Sequence, residues 1–361
     1  TINPTSNFDS STAYYVQIDA TALDDSSGNS YAGISDTTSL SFTTADVVAP
    51  SLSSSSPADN ATAVAVDSNL GLNFSEAVEV KTGNISIKKT SDNSTVETID
   101  VTSSQVAGSG TTQITINPTS NFDSSTAYYV QIDATALDDS SGNSYAGISD
   151  TTSLSFTTAD IVAPTLSSSS PTDDATAVAV GSNIILNFSE VVDVESGNIT
   201  IKKTADNSTV ETISVGSSQV TGTGTTQIII NPSADFDSST AYYVQIDATA
   251  FDDSSGNSYA GISDTTSLSF TTADIVAPTL SSSSPTDDAT AVAVGSNIIL
   301  NFSEVVDVES GNITIKKTAD NSTVETISVG SSQVTGTGTT QIIINPSADF
   351  DSSTAYYVQI D

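Results

Sequence analysis

Apolar and polar residues alternate with a period of two along short runs of this chain, and clusters of Gly, Ser, Asn, Asp and Pro separate the runs. A period of two puts successive side chains on opposite faces of a strand, so the pattern predicts strand after strand and no helix. Between Ile161 and Asp274, strands are expected near APTLSSSS, NIILNFSE, NITIKK, TVETISV, TTQIIINP, AYYVQIDATAF and SLSFTT. Ile184, Leu186 and Phe188 share one face of the second run, Ile199 and Ile201 one face of the third, and Leu268 and Phe270 one face of the last. Two sheets packed on a common core bury all of these faces. Seven short strands in about 100 residues predict an all-β, immunoglobulin-like sandwich.

The sixth run carries a further local signal. FDSSTAYYVQI places Phe236, Thr240, Tyr242, Val244 and Ile246 on the inward parity, with Tyr243, Gln245 and Asp247 outward. Tyr242 then stands where a tyrosine corner would, its hydroxyl free to close the preceding connection. The alternative is an ordinary half-buried tyrosine.

The pattern itself repeats. DDSSGNSYAGISD occurs at 24–36, 138–150 and 252–264, a spacing of 114 residues that holds along the whole chain. The chain is therefore a tandem array. Residues 1–46 are the C-terminal part of a repeat, 47–160 and 161–274 are whole repeats, and 275–361 are the N-terminal part of another. Residues 1–46 are identical to 115–160, and 275–361 to 161–247, which implies recent duplication and a longer parent array. A unit of this size can bury its own core. Between TTAD and the proline of VVAP or IVAP only about four residues separate one sandwich from the next, and proline restricts the backbone there. Such joints predict an extended array.

Composition narrows the function. Acidic residues number 43 against 7 basic ones, all lysine, giving a net charge of −36, and there is no Arg, His, Cys, Met or Trp. That field repels nucleic acid and anionic membranes and attracts cations. Without cysteine there is neither a disulfide framework nor a thiolate metal site, so stability rests on packing, hydrogen bonds or hard cations. No apolar run approaches the roughly 18 residues of a membrane span, and no signal peptide or lipidation motif is visible. Catalysis is not expected: nucleophile dyads, arginine clamps and phosphate loops have no residues to build them. Paired carboxylates could hydrolyse glycosides, but the same active site would then recur in every repeat with no evident cleft.

In order along the repeat, VAPTLSSSSP, IILNFSE, GNITIKK, INPSADFDSSTAYYVQID, DDSSGNSYAGISD and SFTTAD resemble the bacterial immunoglobulin-like repeats of S-layer proteins and large surface adhesins. The resemblance covers every full repeat, and its more specific parts are NFSE, FDSSTAYYV and the Asp plus Gly-Asn loop. It implies an extracellular or cell-surface array serving as a stalk, spacer or filament segment. The alternative is an adhesion module in which each repeat recognises a glycan or a cell-surface protein, with Tyr243 and Tyr259 as outward aromatic candidates. Copies of the chain are further candidate partners, side by side or end to end, since 1–46 and 275–361 could complete each other by strand donation.

The candidate chemistry is metal binding. In a sandwich of this topology the turn after the second strand, the turn after the sixth and the entry of the first strand lie at one end. Glu190, Asp252, Asp253 and Asp160 of the preceding repeat would converge there, with Ser255, Asn257 or loop carbonyls alongside. Asp46 with Glu76, Asp138 and Asp139 repeats the arrangement, and Asp274 with Glu304 begins a third. Unpaired, these carboxylates would repel one another, whereas calcium takes six to eight oxygens in irregular geometry. The other reading is a Gly-Asn turn with solvated aspartates. Asp139, Ser141, Asn143 and Asp150 also fall at positions 1, 3, 5 and 12 of a helix-loop-helix calcium loop, although glycine stands at 4 where that motif has it at 6.

Two further motifs recur. In each IKK the second lysine, such as Lys203, has inward parity, which suggests either a Lys-Asn cross-link or a lysine reaching out to a carboxylate. Asn60, Asn73, Asn84, Asn93, Asn187, Asn198 and Asn207 each begin an Asn-x-Ser/Thr sequon, and several lie in expected strands, where a glycan needs an outward side chain.

Overall fold

A computed structural model describes all 361 residues, and every regular element in it is a strand. In residues 161–274 one sheet runs Leu166–Ser170, Ile184–Val194, Thr225–Ile230, Val220–Thr221, with Phe251–Asp252 also paired to Ile184–Val194. The other runs Ala175–Val178, Ser269–Thr272, Ala241–Ile246, Asn198–Lys203, Thr209–Ser214. Ala175–Val178 pairs in parallel with Ser269–Thr272, and the remaining pairings are antiparallel. Residues 47–160 follow the same order.

The expected seven runs are present, with three additions. AYYVQIDATAF splits into Ala241–Ile246 and Phe251–Asp252, because the chain turns at Asp247, whose carbonyl accepts the Ala250 N–H. Val220–Thr221 is a two-residue strand. Ala175–Val178 lacks a period of two because Ala177 sits at φ 53° and the register shifts between Ala175 and Val178. The second strand also runs on past Glu190 to Val194 through a bulge. Five steps from Asn187 to Val192 face only two from Gln227 to Thr225.

The inward faces read from the sequence form one core of 21 buried residues, including Ile184, Leu186, Phe188, Ile199, Ile201, Leu268 and Phe270. Phe188 packs against Phe251 and Tyr259, with ring centroids 5.4 and 5.2 Å away. On the opposite sheet Tyr242 stacks on Phe270, and its hydroxyl accepts the Asp237 N–H at 2.8 Å. Tyr242 is thus a tyrosine corner, closing the connection five residues upstream. Lys203, paired with Tyr242 at the end of its strand, follows the second of its two readings and reaches out to a carboxylate. Its Nζ lies 2.6 Å from Asp237 Oδ2 at the partly exposed strand end, an ion pair rather than a cross-link to asparagine. Lys89 with Asp123 and Lys317 with Asp351 repeat the pair.

The partial units show what the second half of a repeat contributes. In residues 1–46, Leu23, Leu40 and Phe42 are exposed, whereas their counterparts Leu137, Leu154 and Phe156 are buried. In 275–361, which stop before the closing strands, the core cluster has 7 buried residues instead of 21. Packing of the segment after Ala241–Ile246 is therefore what closes the sandwich.

This core makes Phe188→Ala costly, by about 3–5 kcal/mol, because it leaves a cavity among rings that cannot collapse into it. Lys202→Ala, on the outer face of its strand, is expected to stay within about 0.5 kcal/mol. Urea unfolding of the full chain measures both, and a silent Phe188→Ala would contradict the inward placement of Ile184, Leu186 and Phe188.

Candidate metal centre

Three carboxylates meet where one repeat hands over to the next. One oxygen from each of Asp160, Glu190 and Asp253 lies within 4.8 Å of the other two, and Asp46, Glu76 and Asp139 form the same group one repeat earlier. Each member arrives by a different local device. Asp160 ends the preceding repeat, where its Oδ1 accepts from Ser124 Oγ at 3.0 Å and from the Val162 N–H at 3.1 Å. Glu190 stands in the bulge, in the stretch between Asn187 and Val192 that the ladder leaves unpaired. Asp253 is buried at the start of the loop, where its Oδ1 accepts the N–H groups of Ser255 and Asn257 and its Oδ2 accepts from Asn257 Nδ2.

Asn257 ties the groups together, since its Nδ2 also donates to the Asp160 carbonyl at 3.2 Å. Asn143 does the same for Asp139 and the Asp46 carbonyl. These bonds join successive repeats through main-chain and side-chain atoms.

The carboxylates differ electrostatically. Burial, then the charges of Asp160 and Asp253, push Glu190 above the usual glutamate range. Burial, then Asp46 and Asp139, do the same to Glu76. For Asp253 burial is the largest influence and raises it, but the hydrogen bonds from Asn257, Ser255 and Gly256 together outweigh burial and hold it below the usual range. The Asn143 side chain leads the same outcome at Asp139.

Of the residues expected at these joints, Asp252 and Asp138 lie apart. They pair across the ladder with Asp193 and Glu79, so Asp252 and Asp253, adjacent in a strand-like segment, direct their side chains to opposite sides. Three carboxylates meet, not four. Asp274 and Glu304 come together at the third joint, where Asp274 raises Glu304 after burial does. Residues 275–361 stop short of the position corresponding to Asp253. The helix-loop-helix spacing is not realised: Asp150 accepts from Thr152 and Ser153 in a turn of its own. The aromatic candidates for a ligand surface are also corrected. Tyr259 is buried against Phe188, and Tyr243, though on the outer face, is buried with its hydroxyl on Asn207 Oδ1. Sequence parity could not show that the hairpin turn folds over Tyr243.

An all-oxygen donor set suits a hard cation. At ion–oxygen distances of about 2.3–2.6 Å, oxygens on opposite sides of one ion are about 4.6–5.2 Å apart, and the observed spread lies within that reach.

Two sheets packed face to face, a tyrosine corner and a parallel strand pair at the sheet edge define a tandem immunoglobulin-like protein. The family described as "Bacterial Ig-like domain" matches residues 1–44, 46–158, 160–272 and 274–361, and the chain belongs to it. Among solved structures, a tetra-tandem repeat in the extending region of a large adhesion protein is similar at 14% identity, over 99% of this chain and 89% of that one, with a TM-score of 0.25. The I-band fragment I67–I69 from titin is similar at 10% identity, over 87% and 97%, with a TM-score of 0.34. The S-layer protein rSbsC(31–844) is similar at 11% identity, over 87% and 53%, with a TM-score of 0.22. Comparison with curated proteins finds no match. Membership of the family rests on its match to all four units.

The shifted carboxylates give opposite pH dependences in the absence of metal. Glu76 and Glu190 are raised in the folded state, so their contribution is present at low pH and lost as pH rises through the raised value. Asp139 and Asp253 are lowered, so theirs is present above the ordinary aspartate value and lost as pH falls through the lowered one. In thermal unfolding with chelator, Glu76→Gln with Glu190→Gln is expected to raise stability on the side above the ordinary glutamate range and to leave the acid side unchanged. Unchanged stability above that range in this variant would refute the role of these two glutamates.

Proposed function

We propose that this chain is a structural segment, a stalk or spacer, of a secreted or cell-surface protein, and that calcium stiffens its joints. The observation that carries the reading is the meeting of three carboxylates from two successive repeats at each complete junction. A divalent ion there offsets a repulsion that the chain's 7 lysines do not answer. Calcium is favoured over magnesium because the donors come from a linker, a bulge and a loop, and calcium tolerates such irregular geometry. Asp160, Glu190 and Asp253 would hold the ion at one joint and Asp46, Glu76 and Asp139 at the other, fixing each sandwich to its neighbour.

The role is spacing rather than chemistry. Each sandwich would add roughly 40 Å, from strands of about six residues at about 3.3 Å each plus turns and linker. The aromatic side chains that could have offered a ligand surface, Tyr243 and Tyr259, are buried, which favours the spacer over the adhesion module. End-to-end association with further copies of the chain is compatible with this role.

Calcium is expected to raise the unfolding temperature of the full chain and to lengthen it in small-angle scattering relative to chelator. At a hundredfold excess over Kd one site contributes about 2.7 kcal/mol. Glu76→Gln with Glu190→Gln should remove both responses while leaving the sandwiches folded. If millimolar calcium changes neither the melting nor the scattering of the unaltered chain, the joints are not calcium clamps.

A further inference from the structure

We infer that Asn93, Asn207 and Asn321 are acceptors for N-linked glycans, which cap the exposed edge of each sandwich. The inference rests on export of the chain, since such a glycan is added outside the cytoplasm.

The folded chain separates its sequons sharply. In Asn187-Phe188-Ser189 the middle residue is buried in the core, and Asn187 Nδ2 already donates to Ser168 Oγ at 3.0 Å. In Asn198-Ile199-Thr200 the middle residue is again buried, and the strand is paired on both sides. Asn73 and Asn84 stand in the same two settings one repeat earlier, with Asn73 Nδ2 on Ser54 Oγ. At Asn60, Nδ2 donates to Asp59 Oδ2 at 2.8 Å. None of these tripeptides can be lifted into a transferase site without breaking the sheet or the turn.

Asn207-Ser208-Thr209 is the more open tripeptide, although Asn207 and Ser208 make turn hydrogen bonds with Lys203 and Thr209 pairs with Lys202. All three residues are exposed at the tip of the hairpin between Asn198–Lys203 and Thr209–Ser214, with Asn207 at φ 59°. Asn207 Oδ1 accepts from the hydroxyl of the buried Tyr243 at 3.1 Å, which orients the amide and turns Nδ2 toward solvent without a protein partner. Asn93 with Tyr129 and Asn321 with Tyr357 make the same bond, at φ 59° in both cases. A tyrosine on the outer face therefore presents one asparagine per repeat, in all three copies.

The chemistry is a group transfer from an oligosaccharide carried on a lipid pyrophosphate. Asn207 Nδ2 attacks the anomeric carbon, the carbon–nitrogen bond forms, and the bond from that carbon to the pyrophosphate oxygen breaks. The lipid pyrophosphate leaves with the electron pair, and the amide gives up one proton. The site also has a physical use. Thr209–Ser214 ends its sheet, with Val210 exposed, so its free backbone groups could template pairing with an identical neighbouring array. A glycan two residues before that strand would block the approach.

The test is glycopeptide mass mapping of the full chain from its native producer, after separating surface from interior fractions and cutting before aspartate, which separates the Asn93 peptide from the one around Asn207. Expected are glycan masses on the Asn93 peptide and on the peptide shared by Asn207 and Asn321, and none on peptides from Asn187 or Asn198. Fragmentation must place the sugar on asparagine. Bare Asn93 and Asn207 in surface-located chain would overturn this inference and leave the spacer reading standing, whereas chain found only inside the cell would overturn both. Glycan on Asn187 or Asn198, or sugar on Thr209 rather than Asn207, would overturn the selection of the hairpin-tip sequons.

Discussion

The contact of Phe188 with Phe251 and Tyr259 sets the joint as well as the core. Glu190 follows Phe188 by two residues on one strand, and Asp253 follows Phe251 by two on its cross-strand partner, so the residues that fill the core fix where the carboxylates stand. In the preceding copy Phe74 and Tyr145 pack at 5.2 Å, Leu137 replaces the second phenylalanine, and Glu76 and Asp139 meet in the same way. Magnitudes decide which force prevails. Two unit charges 4.8 Å apart repel by about 1 kcal/mol in water and about 3–4 kcal/mol at an effective dielectric of 20. Burying each large apolar side chain contributes about 1.5–3 kcal/mol, and the core holds 21 buried residues. Packing wins, and the charges must accept the positions it imposes.

That asymmetry explains what could be read from the sequence. Period-two alternation exposed Ile184, Leu186, Phe188 and Tyr242 as core residues because burial acts on every second position of a paired strand. Glu190 was placed at the joint for the same reason, since it continues the parity of Phe188, whereas Asp252 and Asp253 were both candidates. Alternation fails where the ladder is interrupted. Asp252 carries the same charge as Asp253 and sits beside it, and only the ladder register shows which of the two turns to the joint. Tyr243 has outward parity but is covered by a turn from elsewhere in the chain, a tertiary event that leaves no local periodic trace. The parallel strand Ala175–Val178 was hidden because a left-handed residue, Ala177, breaks its alternation.

The acidity of the chain also takes on structure once the turns are seen. Asp253 accepts the N–H groups of Ser255 and Asn257, Asp264 those of Thr266 and Ser267, and Asp206 that of Ser208. Each carboxylate thereby satisfies donors that a loop leaves unpaired, and each is held below the usual aspartate range. These charges are part of the backbone's own hydrogen bonding, even where, as at Asp206 and Asp264, the residue is exposed. Glu190 and Glu76 have no such role. No hydrogen bond figures among the influences on either, and burial with two neighbouring carboxylates pushes both upward. A glutamate in that position has two ways to lower its free energy, by taking a proton or by sharing a cation with the aspartates that face it. The turns hold Asp139 and Asp253 below the usual aspartate range, and a cation shared at the joint would relieve the repulsion of the whole group where a proton on the glutamate would relieve only its own charge.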